Sequence, residues 1–199
     1  RDLVLVRGIE PSMRWRSFCN ELLGFAHELG VELVVILGAL LGDTPHTRPV
    51  PVSGVTSDPD LARRMALEET KYEGPTGIVG VLNTICRERG FTTASLWANV
   101  PHYISGIENP KATLALVRRV LPLLGATLDT ADLEDAVKQF DQNLTEIVRQ
   151  NAKIASYIKK LESRDAEEPS AEPGRGSDLP PASELVAEIE QFLRQQRPE

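Results

Sequence analysis

The stretch "LVVILGALLGDTPHTRPVP" at residues 33–51 decides the fold class. Its first half, residues 33–41, is a continuous apolar run without alternating polar side chains. Such a run is typical of a central strand in a parallel sheet, because crossover helices cover both faces of that strand. The second half is a loop that holds Asp43, His46 and Arg48 among prolines. The stretch therefore predicts a buried strand that ends in a loop rich in reactive side chains.

The segments on either side alternate between strand and helix patterns. We predict strands at residues 3–6, 52–56 and 92–100, and helices at residues 12–29, 58–65, 76–89 and 111–124. The helices follow from apolar side chains at helical spacing and from capping residues such as Ser12, Thr76 and Gly90. Strands joined through helices imply a parallel sheet with right-handed crossovers. We place this α/β body at residues 1–128.

The rest of the chain forms three further segments. Residues 129–164 lack Gly and Pro and repeat apolar side chains in alternating steps of four and three, with Asn151 as the polar member of that seam. This pattern predicts a long amphipathic helix, and its wide apolar stripe favours packing on the body, in a hairpin or in a multi-helix assembly over a free coiled coil. Residues 165–182 are predicted to be a flexible linker. Residues 183–199 are predicted to form a last amphipathic helix, which must dock because a short helix is marginal alone.

Composition excludes several classes of function. The net charge of −7 argues against a nucleic-acid binder and against binding to anionic membrane surfaces. The apolar run in residues 33–41 is far shorter than the roughly 20 residues of a transmembrane helix. Cys19 and Cys86 lack metal-like spacing, which favours two buried, reduced thiols in a cytoplasmic protein. Because the chain opens on Arg1 within a strand pattern, we expect an earlier strand and helix to precede it.

Two loops carry the residues that could perform chemistry. "DTPHTRP" and "NVPHYI" each follow a predicted strand and each contain Pro-His. Parallel strands would bring both loops to one sheet edge, where open α/β sheets bind ligands. The candidates for a shared crevice are Asp43, His46, Arg48, Asn99 and His102, with Tyr103 beside them.

The possible chemistries of these loops remain open. A metal site would use His46, His102 and Asp43, but two histidines from separate loops are a thin pattern, so we assign no metal and expect no cofactor. An anion site would combine Arg48 with Thr76 and the amide of Gly77 at a helix N-terminus. Neither a Walker motif, a dinucleotide fingerprint nor a G-x-S-x-G elbow is present.

A structural role for the first loop competes with these chemistries. Pro45 and Pro49 fix φ at two points, and Asp43 and Thr44 can bond local amides. We therefore favour a rigid scaffold or an interaction surface. The residues that we expect at interfaces are Trp15, Tyr103, Asn151 and Phe192.

Three ordered segments resemble a known family. "LLGDTPHTRPVPVSG", "YEGPTGIVGVL" and "SLWANVPHYISGIENPKATLALVRRV" are similar to the PAC2 family, named for the proteasome assembly chaperone, in its actinobacterial branch. The resemblance implies a three-layer αβα fold with a mostly parallel central sheet, like that of nucleoside phosphorylases and related hydrolases. It also implies homo-oligomers and a chaperone-like role with proteasome subunits as partners.

Two functions follow as expectations. The first is a non-enzymatic interaction protein with a chaperone-like role in proteasome assembly. The alternative is a phosphorylase- or hydrolase-like enzyme whose crevice lies at the carboxyl ends of the strands.

Overall fold

The computed structural model describes residues 2–65, 77–104 and 107–167. Within them the chain is a mixed α/β structure with a small sheet and several helices. The helices are α1 (Trp15–Glu28), α2 (Pro59–Met65), α3 (Ile78–Glu88), α4 (Pro110–Leu124), α5 (Ala131–Gln150) and α6 (Ala152–Glu167). The strands are β1 (Leu33–Gly42), β2 (Val52–Thr56) and β3 (Thr92–Pro101), and a 3-10 helix, His102–Ile104, follows β3. None of the described helices is long and apolar enough to cross a membrane.

The sheet has the order β1-β3-β2, so β3 and not β1 is its middle strand. The prediction that residues 33–41 form a central strand is wrong for the described sheet. Leu37 and Leu41 of β1 are 50% and 55% exposed, whereas Leu96 of β3 is fully buried. An apolar run shows that a strand can be covered on both faces, but it does not show which neighbours the strand acquires.

Among the described strands the sheet is mixed rather than mostly parallel. The N–H of Ser57 donates to the carbonyl of Thr93, and the N–H of Asn99 donates to the carbonyl of Pro51. The paired residue numbers fall along β2, from 57 to 51, as they rise along β3, from 93 to 99, so these two strands are antiparallel. By contrast, Gly42 at the end of β1 lies beside His102 at the end of β3, as in a parallel pair. Helices between strands do not by themselves fix strand direction.

The N-terminal segment departs from its predicted strand. Residues 2–11 have no regular structure, and Leu5 and Val6 are 85% and 65% exposed. A strand needs a neighbour for its hydrogen bonds, and no described strand runs beside this segment. Helix α1 begins at Trp15 rather than at a Ser12 cap, and its N-cap is Arg14 in the left-handed conformation, with φ 58°.

The described chain forms two compact units. The first contains residues 2–38 and the described part of 53–96. Its core joins α1 to α3 through Cys19, Leu23, Ile85 and Cys86. Both cysteines are free and buried, as predicted, and burial raises the pKa of the Cys86 thiol to about 11.

The second unit contains residues 39–52 and the described residues from 97 onward. Its largest core packs Tyr103 and Ile104 against α5 and α6, whose buried members are Phe140, Leu144, Ile147, Ile154, Tyr157, Ile158 and Leu161. The apolar stripes of α5 and α6 thus pack within this unit. A boundary at residue 128 does not match this unit, because the core includes residues on both sides of it.

Residues 129–164 are not one helix, and this corrects the predicted seam. The helix is interrupted at Asn151, whose backbone has the extended conformation φ −130°, ψ 104°. The Asn151 side chain accepts hydrogen bonds from the N–H groups of Lys153 and Ile154 and so caps α6. Its heptad position was a coincidence of spacing. Helix α6 continues to Glu167, into the predicted linker, while the rest of that linker and residues 183–199 lie outside the described residues.

Candidate functional site

The loop after β1 is held by the phenol hydroxyl of Tyr103, a residue in the 3-10 helix that follows β3. The N–H of His46 donates to Tyr103 Oη at 2.8 Å, and His46 Nδ1 lies 2.9 Å from the same oxygen. Since this oxygen accepts from the backbone, its own proton can be given to Nδ1, which places the imidazole proton of His46 on Nε2. The two predicted Pro-His loops therefore do meet, through one phenol.

His46 is buried and electrically neutral at physiological pH. Its exposed fraction is 7%. Burial, followed by the positive charge of Lys111, lowers the pKa of His46 to about 4, and the carboxylates of Asp141 and Glu162 act in the opposite direction. A histidine that does not change charge near neutrality is suited to structural hydrogen bonding rather than to proton transfer at that pH.

Lys111 is the second anchor of the loop, and sequence reasoning missed it. It lies in the first turn of α4, where Asn109 caps the helix and Pro110 occupies the first position. Its Nζ donates to the carbonyl of His46 at 2.6 Å and pairs with Asp141 Oδ1 at 3.0 Å. The side chain of Lys111 is only 15% exposed, so this pair is partly desolvated.

Helix α6 supplies a third set of contacts. Thr47 Oγ1 donates to Glu162 Oε1 at 2.6 Å. Arg164 Nη1 lies 3.5 Å from Asp43 Oδ2. Neither partner was expected from sequence, because they lie on a helix whose apolar stripe was its only visible signal.

His102 joins the end of β1 to helix α6. Its Nδ1 is 3.2 Å from both Asp43 Oδ1 and the carbonyl of Gly42. The hydrogen bond to the carbonyl of Gly42 places the ring proton on Nδ1, which leaves Nε2 to accept from Tyr157 Oη at 3.0 Å. The order Asp43–His102–Tyr157 resembles a catalytic triad with a phenol in place of the serine, but the hydrogen bond of Nδ1 goes to the carbonyl of Gly42 and not to the carboxylate.

The surroundings of Tyr157 oppose a nucleophilic role. Its side chain is 6% exposed. Burial, and then the charge of Asp43, raise its pKa to about 12. The phenol therefore stays protonated and holds α6 against His102.

The two histidines do not form a joint metal centre. Each packs edge-on against Tyr103, with ring centroids 6.0 Å away for His46 and 5.7 Å away for His102. Burial raises the pKa of Tyr103, so its phenol also remains neutral. Among the described residues, no three His, Cys, Asp or Glu side chains are grouped as a metal ion would need.

The remaining crevice candidates line a small cavity in the same unit. Thr44, Arg48, Asn99, Asn109 and Lys111 contribute its polar surface. Its volume is about 10 Å³, enough for roughly one water molecule. Thr44 Oγ1 and Asn99 Oδ1 are buried and have no hydrogen-bond partner within the described part of the chain.

A carboxylate of the chain itself, that of Glu10, lies at the predicted anion site. Thr76 lies outside the described residues. At the start of α3, the N–H of Ile78 donates to Glu10 Oε1 at 2.8 Å. A Cβ added at Gly77 would lie 3.2 Å from the same oxygen, so the absence of a side chain there lets the carboxylate approach. Arg48 belongs to the other unit and lines the cavity described above.

The residues predicted at interfaces lie in different environments. Tyr103 is 1% exposed and belongs to the core, which corrects its expected surface role. Trp15 is half-buried, and its indole N–H donates to the carbonyl of Pro11. Asn151 caps a helix, and Phe192 lies outside the described residues.

Comparison with known proteins identifies the relatives of this chain. A PAC2 family model matches residues 1–148. A PAC2 family protein from Streptomyces avermitilis is 62% identical, with a TM-score of 0.69 over 76% of this chain and 64% of its own. A proteasome-assembly chaperone homologue from Mycobacterium tuberculosis is 50% identical, with a TM-score of 0.68 and the same coverages, 76% and 64%.

A third structure extends the match toward the C-terminus. A protein of unknown function from Mycobacterium tuberculosis is 25% identical, with a TM-score of 0.76 over 95% of this chain and 61% of its own. This chain therefore spans less than two thirds of the length of each of these relatives. No curated protein matches it significantly. The family model and the two closely similar structures together show that the chain belongs to the PAC2 family.

Proposed function

We propose that this protein is a non-enzymatic, chaperone-like interaction protein that acts in proteasome assembly. One observation carries the proposal: the histidines of the two Pro-His loops are held by hydrogen bonds to neighbouring groups. His46 hydrogen-bonds to Tyr103 and Lys111, and His102 hydrogen-bonds to the carbonyl of Gly42 and to Tyr157. The cavity beside them holds about 10 Å³, far below the several hundred Å³ of a typical ligand pocket.

A loop anchored in this way is suited to recognition. Residues 43–48 are tied to the end of β3, to α4 and to α6, yet Thr47, Arg48 and Pro49 remain exposed. Binding a partner with a preorganised loop costs little conformational entropy. The 50% identity to a proteasome-assembly chaperone homologue supports proteasome subunits as partners.

The proposal includes three finer expectations. We retain the three-layer phosphorylase- or hydrolase-like arrangement, a homo-oligomeric state and a cytoplasmic location. The free, buried thiols of Cys19 and Cys86 support a reducing compartment.

Reconstitution with purified actinobacterial proteasome α and β subunits tests the function. We expect the protein to co-elute with α or β subunits and to accelerate formation of active particles, followed on native gels and by peptide hydrolysis. Arg48→Glu should weaken both effects. Arg87→Glu makes the same charge change at an exposed position of α3 and should not. The absence of co-elution together with an unchanged assembly rate would contradict the proposed role.

One geometric feature supports the enzymatic alternative, namely the proximity of Asp43, His102 and Tyr157. A screen of nucleosides with phosphate, and of acyl esters, addresses it. Turnover that is lost in both His102→Gln and Tyr157→Phe, while Arg87→Glu retains it, would favour an enzyme. Turnover that survives these changes, or none at all, would remove this alternative.

A further inference from the structure

Helix α1 carries an exposed apolar stripe in addition to its buried face. Phe18, Leu22, Phe25 and Leu29 follow one another in steps of four, three and four, so they share one side of the helix. Phe18, Phe25 and Leu29 are 44%, 56% and 50% exposed. The buried face, with Cys19 and Leu23, is already occupied by the packing against α3. Exposed aromatic side chains in a row are typical of recognition surfaces.

Within α1 the outer border of this stripe carries two acidic side chains, while Arg14 precedes them at the N-cap. Glu21 and Glu28 each lie three residues after a phenylalanine of the stripe, so both border it on the side away from the α3 contact. Both side chains are exposed. Glu32, just beyond the helix, adds a further exposed carboxylate.

This border disfavours a second copy of the chain as the occupant. An antiparallel pair of α1 helices centred between Leu23 and Gly24 would match Phe18 with Leu29 of the other copy. The same pairing places Glu21 about 3 Å along the axis from Glu28 of the other copy, since each residue rises 1.5 Å. A parallel pair would instead turn Glu21 and Glu28 toward the side of the other copy that carries Cys19, which already packs against α3. Repulsion between glutamates therefore selects against the antiparallel pair, and the contact with α3 blocks the parallel one.

We propose that the stripe formed by Phe18, Leu22, Phe25 and Leu29 docks an amphipathic helix of a partner protein whose apolar seam is bordered by Lys or Arg. The spacing on α1 fits a heptad seam, and the two phenylalanines supply the anchors of a helix-to-helix contact. Glu21 and Glu28 give the contact its charge selectivity. This surface is independent of the loop proposed for the proteasome role.

The stripe can be tested by measuring the binding of two synthetic three-heptad peptides to the full 199-residue chain. Both carry Leu at the seam positions, and one has Lys and the other Glu at the flanking positions. At low salt we expect the Lys peptide to bind about tenfold tighter by fluorescence anisotropy, since two exposed charge pairs each change from repulsive to attractive. The double substitution Glu21→Lys with Glu28→Lys should invert this order, and high salt should erase the difference.

A matched pair of apolar substitutions tests the seam. Phe25→Ser should weaken binding of the Lys peptide about tenfold or more, as the loss of a hot-spot residue does. Leu128→Ser removes another apolar side chain of similar exposure, 62% against 56%, and should change nothing. Both positions are exposed, so melting by circular dichroism should confirm that each variant folds.

Four results would overturn the proposal. They are no binding of either peptide, equal binding of both, equal effects of the two Ser variants, and a wild-type dimer that Phe25→Ser dissociates. The last result would assign the stripe to a second copy of the chain.

Discussion

The neutral, buried state of His46 leads to a defined dependence of stability on pH. Its pKa is about 4 in the folded protein and 6.5 without burial. Between these values the unfolded chain binds more protons than the folded chain, so stability is present in full above pH 6.5 and falls as the pH decreases. From about pH 7 to about pH 4.5, protonation of this one group in the unfolded chain should lower the free energy of unfolding by about 2 kcal/mol.

The assay compares the wild type with His46→Leu by urea unfolding at several pH values. The variant loses its bonds to Tyr103 and should be less stable throughout, but the pH-dependent part assigned to His46 should disappear. Carboxylates that titrate lower in the range, such as Glu146 with a pKa of about 2, contribute equally to both proteins and cancel. Parallel pH profiles for wild type and variant would refute the idea that His46 is kept neutral by burial and by Lys111.

Three further predictions concern single side chains. Tyr103→Phe leaves the N–H and Nδ1 of His46 without a partner and should lower the free energy of unfolding by about 2–4 kcal/mol; urea denaturation checks this, and a cost under ~1 kcal/mol would contradict the proposed bonds. Thr44→Val replaces a buried hydroxyl that has no partner within the described residues, so we expect stability to stay equal or rise by about 1 kcal/mol; a clear fall in melting temperature would show that the hydroxyl is satisfied. Asn151→Leu removes the cap of α6 and should cost about 1 kcal/mol, compared with a near-neutral Asn151→Asp; a higher melting temperature for the Leu variant would restore the coiled-coil interpretation.

Local signals predicted most individual elements. Gly90 and Gly125 end their helices in left-handed conformations, with φ of 79° and 58°, as a C-terminal glycine should. Asp58 caps α2 by accepting from the N–H groups of Asp60 and Leu61. These features depend on a few neighbouring residues, so they can be inferred without knowledge of the rest of the fold.

The candidate site was only half visible in the sequence. The paired Pro-His loops drew attention to His46 and His102, and the structure brings both to Tyr103. Lys111, Tyr157 and Glu162 were missed, since each lies on a helix far along the chain and meets the loop only after folding. Because of these contacts, we interpret the site as a loop whose histidines are already hydrogen-bonded rather than as a crevice with reactive groups.

The sequence by itself determined the family, the mixed α/β class, the buried cysteines and the amphipathic character of α5 and α6. The family follows from the resemblance of three ordered segments, and the other properties follow from composition, apolar periodicity and capping residues, which act over a few turns of chain. Tertiary structure alone decided that β3 is the middle strand and that β2 runs antiparallel to it. It also decided that Asn151 interrupts a helix instead of joining a seam. Strand order, strand direction and the partners of a polar side chain depend on contacts between residues distant in sequence, and local pattern does not encode which of those contacts form.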